Sequence, residues 1–330
     1  MIYIKPDFFD EFKCIGSKCT DNCCIGWEID VDDLTYDAYC RMNTDFSKRI
    51  KENIIEAPDG SRCFKLAENE RCPFLNKDNL CDIIINCGEA SLCDICREHP
   101  RFYEWFPGVT ECGLGLSCEE VCRVLLEKDS FFELTEYNDG EKIELPTKED
   151  IVESDTYILT SALRLVFFTI LGNEALPLEE KIVRILEKTQ AFTGKKITVK
   201  NDFKLLEAYE KTEPIDSSWI EFLNCLKADL KELTSKEFLW KDMESNKLYS
   251  RVLAYIIYRH FIKAVFDNSF SQRVSFCVES LRFIMLSDMK TLREKGNLTI
   301  PDRVNNIKNW SKQIEYSDEN TELLIYVDVL

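Results

Sequence analysis

Four thiols fall within eleven residues at Cys14-Ile-Gly-Ser-Lys-Cys19-Thr-Asp-Asn-Cys23-Cys24, and the last two are adjacent. A single cysteine fills a small apolar gap well, but two neighbours cannot both point into the same gap. Ten more follow at Cys40, Cys63, Cys72, Cys81, Cys87, Cys93, Cys96, Cys112, Cys118 and Cys122, so fourteen of the sixteen cysteines precede residue 123. At 330 residues with 45% apolar composition, the chain has ample material for a core, and small size gives no reason for disulfide staples. The opening Met1-Ile-Tyr-Ile-Lys-Pro6-Asp7 meets charge and proline at once and contains no secretory apolar region. The longest apolar run, Tyr157 to Leu171, is short for a bilayer span and carries Arg164. A cytoplasmic protein with no membrane segment is therefore expected, and in a reducing compartment clustered cysteines point to metal ligation or redox chemistry ahead of disulfides.

Histidine narrows the metal chemistry, because only His99 and His260 are present. Zinc held by four cysteines and an iron–sulfur cluster both want thiolates and both remain open, with redox or disulfide chemistry as a third reading. Paired CxxC knuckles with zinc-ribbon spacing are missing; the single CxxC is Cys93-Asp-Ile-Cys96. The candidate ligands are Cys14, Cys19, Cys23, Cys24, Cys72, Cys81, Cys93 and Cys96, more than one four-thiolate group needs.

The net charge of −18 is densest where the cysteines are. Residues 1–130 carry 15 Lys+Arg and 26 Asp+Glu, a net of −11, and the remainder carries 27 and 34, a net of −7. That field disfavours nucleic acid and anionic membrane as partners and favours a cationic one.

Along the chain, Trp27, Ile29 and Val31 alternate with acidic residues, which predicts a short half-buried strand, and Asp32 or Asp33 can cap a helix through Leu34, Tyr36, Tyr39 and Cys40. Cys72-Pro73-Phe74-Leu75 and Leu80-Cys81 flank the turn Asn76–Asn79, predicting a tight loop that presents two cysteines together. Cys93 and Cys96, at i and i+3, share one helical turn that Pro100 ends. Beyond a polar connection, roughly Tyr137 to Glu153, the chain reads as helix after helix. Ile158, Leu159, Leu163, Val166, Phe167 and Ile170 form one apolar stripe. Trp219, Phe222, Leu223, Leu226, Leu230 and Leu233 form another, and Leu253 to Phe266 reads as a central core helix. Cys277 and Cys225 are expected to be structural, and His260 a satisfied core histidine. The expected fold is mainly α: a Cys-rich, irregular metal-binding N-terminal domain, residues 1–137, packed on an all-α helical C-terminal domain, residues 138–330.

These motifs resemble the flagellin lysine-N-methylase family, which is related to a broader group named for zinc- or iron-chelating CxxCxxCC motifs. The resemblance runs through Cys14-x4-Cys19-x3-Cys23-Cys24 with Gly26-Trp27, Cys72-Pro73-Phe74-Leu75, Cys81, Gly88-Glu89, Leu92-Cys93, Cys96, Pro100-Arg101, Glu111, Leu114, Ser117-Cys118 and Glu120, covering roughly residues 3–126. The chain departs from the family pattern at His99, where an aromatic is usual, and at Glu119, where proline is usual; Cys87 and Cys122 look like local additions. The resemblance implies a methyltransferase that uses S-adenosylmethionine to methylate flagellin lysines, with an iron–sulfur centre of the [4Fe–4S] type. The residues themselves supply less: no GxGxxG follows a strand, and the CxxxCxxC triad is absent because Leu125 stands where the third cysteine would fall after Cys118 and Cys122. Arg97 and Arg101 stand out in the acidic field as candidates to hold a donor carboxylate, with pairing to Glu98 or Glu104 as the competing role. The alternative to an enzyme is a non-enzymatic zinc- or iron-binding module for metal handling or protein interaction.

Overall fold

The first strand finds its partners more than a hundred residues away. In a computed structural model that describes residues 1–140, 148–235 and 242–327, the strand β1 (Ile2–Pro6) is central in a four-stranded sheet. A two-stranded hairpin, β2 (Ile54–Glu56) and β3 (Arg62–Phe64), stands apart from it. The larger sheet has the order β4 (Arg101–Phe106), β5 (Val109–Leu114), β1, β6 (Leu134–Asn138). β1 runs parallel to β5, with Ile4 opposite Glu111, and antiparallel to β6, with Ile4 opposite Glu136. Pro107-Gly108 closes β4 onto β5, and Gly108 takes the positive φ of 78° that such a two-residue turn requires.

The chain divides into two compact units. One comprises Met1–Phe12, Tyr103–Ser117 and Val121–Leu330; the other comprises Lys13–Phe102 and Cys118–Glu120. The boundary expected at 137/138 falls inside the first unit, because β6 at Leu134–Asn138 is tied to β1 by backbone pairing. Pro146, within the expected connection, lies outside the described residues.

The first unit is mainly helical but not all-α as a unit, since it includes most of the four-stranded sheet. Its helices include Lys148–Leu171, Leu178–Thr193, Ser217–Ser235, Met243–His260, Phe270–Lys295 and Ile300–Ile314. Met243–His260 is buried on nearly every side from Leu248 onward. The apolar run continuing to Phe266 is two helices rather than one, for a break after His260 precedes Ala264–Asp267. Cys277 is fully buried in Phe270–Lys295, as expected, whereas Cys225 is exposed. His260 is a core histidine, with Nε2 2.9 Å from Glu315 Oε1.

The helix Lys148–Leu171 corrects the sequence reading. Its buried face is Tyr157, Thr160, Arg164, Phe167, Phe168 and Leu171, while Ile158, Leu159 and Val166, expected in the core stripe, are exposed. The reason lies in Glu111 on β5. Arg164 donates to both carboxylate oxygens of Glu111, at 2.6 and 2.7 Å, and the Tyr157 hydroxyl donates to Oε1 at 2.6 Å. Both partners of the ion pair are almost completely buried, so the pair dictates which side of the helix turns inward. By length and composition the 19-residue stretch Glu153–Leu171, with mean hydropathy 1.3, is long and apolar enough to cross a membrane, which the shorter run read from sequence was not.

Candidate metal centre

The second unit is built from short elements around a small core. Ile29, Val31, Tyr39, Ile50, Phe64, Phe74, Ile83 and Leu92 fill it together with Cys72 and Cys93, and Cys24, Cys81, Cys87 and Cys96 pack against it. The alternation at Trp27–Val31 buries Ile29 and Val31 as expected, but the segment joins β3 through an isolated bridge, Asp30 to Cys63, and not as a regular strand. Asp32 is the cap of the helix Asp33–Arg41, its carboxylate accepting the Thr35 N–H at 2.9 Å.

Backbone hydrogen bonds stitch the cysteine loops together. The Cys72 N–H donates to the Cys24 carbonyl at 2.9 Å, beside a bridge between Ile25 and Arg71. The 72–81 loop closes as the turn signal predicts: the Asn76 side chain accepts from the Asp78 and Leu80 amides at 2.9 and 3.0 Å, and Leu75 bridges Cys81. Arg49 fastens the loop from outside, donating to the Pro73 carbonyl and to Asp82, both at 2.7 Å. Cys93 occupies the cap position of the helix Asp94–Glu98, which carries Cys96. The second oxygen of Asp32 accepts the Asp94 N–H at 3.0 Å, and the Tyr39 hydroxyl donates to the Ser91 carbonyl at 2.6 Å while lying 3.8 Å from the Cys93 sulfur.

The result gathers six of the eight candidate thiols. Cys96 feels the fields of Cys93, Cys72, Cys81 and Cys23, and Cys24 those of Cys23, Cys72 and Cys96. Burial, reinforced by neighbouring sulfurs, pushes up the Cys72 and Cys96 thiols and takes Cys93 up to about 11. Cys23 goes the other way: the hydrogen bond from Cys24 holds it down, helped by a second from His99, and the same bond raises Cys24. Several thiolates side by side in a buried place repel one another, and a bound cation relieves that repulsion.

The other two candidates lie elsewhere. Cys19 stands with Cys118 and Glu119, its thiol raised to about 12 by burial, and donates to the Asp21 carbonyl at 3.0 Å. Glu119 accepts from the Thr20 amide at 2.9 Å and from its hydroxyl, which gives the departure from proline at this position a local use. Cys14 is exposed, its sulfur accepting from the Gly16 N–H at 3.4 Å. Arg97 pairs with Asp94 and with Glu98, and Arg101 donates to the Arg97 carbonyl at 3.4 Å; Glu104 pairs with Lys263 at 2.6 Å. Three groups outside the candidate ligands interact with the cysteines: His99 with Cys23, Tyr39 with Cys93 and Cys118 with Cys19. His99 follows Cys96 at i+3, the one signal that would have placed it nearby.

Among the described residues no three His, Cys, Asp or Glu side chains stand in an arrangement that could hold a metal ion as they are. The donor set itself is all sulfur, and its chemistry fits an iron–sulfur or zinc–thiolate group drawn from Cys23, Cys24, Cys72, Cys81, Cys93 and Cys96.

Over 132 residues, 38% of its length, the chain is 31% identical to the flagellar biosynthetic protein FliU of Salmonella muenchen, and the match covers 78% of that protein. The chain belongs to the flagellin lysine-N-methylase family. Two relatives named lysine-N-methylase, from Salmonella typhimurium and Salmonella choleraesuis, are 29% identical over 132 residues, and the match spans only 33% of each. No protein-family model matches this member of the flagellin lysine-N-methylase family, and no solved structure does.

Proposed function

We propose that this chain is a cytoplasmic protein-lysine N-methyltransferase that transfers a methyl group from S-adenosylmethionine to lysines of flagellin. The single observation that carries the reading is the likeness to relatives named lysine-N-methylase and to a flagellar biosynthetic protein. An iron–sulfur centre of the [4Fe–4S] type, held by four of the six gathered cysteines, belongs to the same proposal; when bound it supplies a rigid cross-link between the cysteine loops and a store for one electron. The all-sulfur donor set supports it, and zinc is the alternative metal.

The net charge of −18 suits a substrate that offers ammonium groups. Attraction between exposed charges is screened beyond about 8–10 Å at physiological salt, so it speeds encounter more than it selects a lysine. Methylation needs the neutral amine, and an apolar surround that desolvates the lysine lowers its pKa toward that state. Arg97 is already paired with Asp94 and Glu98, so holding a donor carboxylate would require it to exchange partners.

The experiment incubates anaerobically purified, metal-replete protein with flagellin and methyl-labelled S-adenosylmethionine. Label recovered on lysine, rising as salt is lowered, supports the reading. No transfer by protein whose metal content is intact leaves the non-enzymatic metal-binding module as the better account.

A further inference from the structure

The helix Asp33–Arg41 holds the Cys93 turn from both sides. At its cap, Asp32 accepts the N–H of Asp94, one residue after Cys93, at 3.0 Å. About two turns further on, the Tyr39 hydroxyl donates to the carbonyl of Ser91, two residues before Cys93, at 2.6 Å. Between these two struts Tyr39 Oη lies 3.8 Å from Cys93 Sγ, within reach of a hydrogen bond to sulfur. Both side chains are wholly buried, so bulk water reaches neither.

A phenol has one hydrogen to give, and its oxygen also accepts. While Cys93 is a thiol, the contacts form a chain in which the S–H is given to Oη and the O–H to Ser91. A metal-bound thiolate has lost its hydrogen and is an acceptor only. Hydrogen bonds to a charged acceptor are roughly twice as strong as those between neutral groups, so such a sulfur competes with the Ser91 carbonyl for the phenolic hydrogen. Cys72 shows the same pattern by other means: the amides of Phe74 and Leu75 donate to its sulfur.

We propose that Tyr39 is a positioning residue for the metal: it holds the Cys93 turn through Ser91 and shares its hydroxyl hydrogen with the Cys93 sulfur once that sulfur is a metal-bound thiolate. The assignment rests on the reading of Cys93 as one of the metal's thiolates. On ligation the thiol proton leaves to solvent, and the phenol keeps its own. A hydrogen bond to a ligating sulfur draws electron density from it. The site then accepts an electron more readily, and the sulfur-to-metal absorption moves to higher energy.

The test compares the full chain with Tyr39→Phe, which keeps the ring in the core, and with Tyr36→Phe, which removes a hydroxyl beside Cys40 on the same helix. Cobalt(II) added without oxygen to the metal-free proteins reports on the sulfur directly. Tyr39→Phe is expected to bind it about tenfold more weakly and to move the sulfur-to-cobalt absorption to longer wavelength, while Tyr36→Phe matches the parent. In protein isolated with its iron, the midpoint potential of Tyr39→Phe should be more negative. Fluorotyrosine in place of tyrosine throughout keeps every hydroxyl as a stronger donor and should move the absorption to shorter wavelength. A tyrosine that is only a strut would lower the unfolding midpoint and the metal content, yet leave the absorption and potential of bound metal where they were; that result overturns the proposal. So does a shift of equal size in Tyr36→Phe. A parent chain that takes up neither iron nor cobalt overturns the reading of Cys93 as a ligand and the proposal with it, whereas bound metal with an unmoved absorption overturns the proposal alone.

Discussion

Asp32 reaches the backbone amide of Asp94, 3.0 Å away, while its other oxygen caps its own helix at Thr35. One carboxylate thus ends two helices, and the second of them carries Cys96 behind Cys93 at its cap. Although burial opposes it, these amide bonds hold the Asp32 carboxyl below its ordinary range.

Removing that carboxylate should loosen both helices. Asp32→Ala is expected to cost about 1–2 kcal/mol in urea unfolding, the range of a lost helix cap. Asp32→Asn, which keeps an acceptor, should cost less. Because the cap positions Cys93 and Cys96, Asp32→Ala should also lower metal retained through purification, read as metal per chain.

The cysteines should divide by location. Cys72→Ser and Cys96→Ser, each replacing a thiol within the gathered group, are expected to abolish most of the iron and sulfide in anaerobically prepared protein, with loss of the broad visible absorption. Cys14→Ser should leave both unchanged, since Cys14 is exposed and its sulfur accepts from Gly16 within its own turn. Equal losses in all three variants would mean that the gathered group is not what holds the metal.

The buried ion pair of the helical unit should be unforgiving of a single change. Glu111→Gln leaves the Arg164 charge without its carboxylate and is expected to destabilise by about 3–5 kcal/mol. The double variant Glu111→Leu, Arg164→Met removes both charges and should lose markedly less. Chemical denaturation of the three proteins gives the comparison.

Acid should weaken the same unit through His260. Burial holds its pKa down to about 4, below the ordinary 6.5, so the unfolded chain takes up the proton first as pH falls. The contribution is complete above about 6.5 and lost on the way to 4, a difference of about 3 kcal/mol. Glu315 acts with the same sign: against the upward push of burial, the charge of Arg259 and the bond from His260 hold it down. Unfolding free energies measured from pH 7 to pH 4 should fall, and His260→Gln should flatten the profile.

The helical character of the C-terminal half and the crowding of thiols were legible because both are local. Leu226, Leu233, Val274 and Leu281 repeat at helical spacing and are buried, and the turn at Asn76–Asn79 announces itself in four residues. The four-stranded sheet was not legible, since Ile2–Pro6 pairs with Val109–Leu114, and nothing near either strand in sequence names the other. The face chosen by Lys148–Leu171 was hidden for a related reason. The helix is apolar on both sides, and the residue that decides, Arg164, is turned inward by a glutamate 53 positions away. Cys19 stands apart from the gathered thiols, beside Cys118 and Glu119, which are again remote in sequence.

The placement of β1 also has a consequence for synthesis. The strand leaves the ribosome ahead of both of its neighbours, since β5 and β6 lie beyond the entire stretch Lys13–Phe102. At about 5–20 residues per second, the strand waits roughly 5–20 s with its edges unpaired. The thiol-bearing unit has that interval in which to collapse around its own core, so its loops can take shape before the sheet that brackets them in sequence closes.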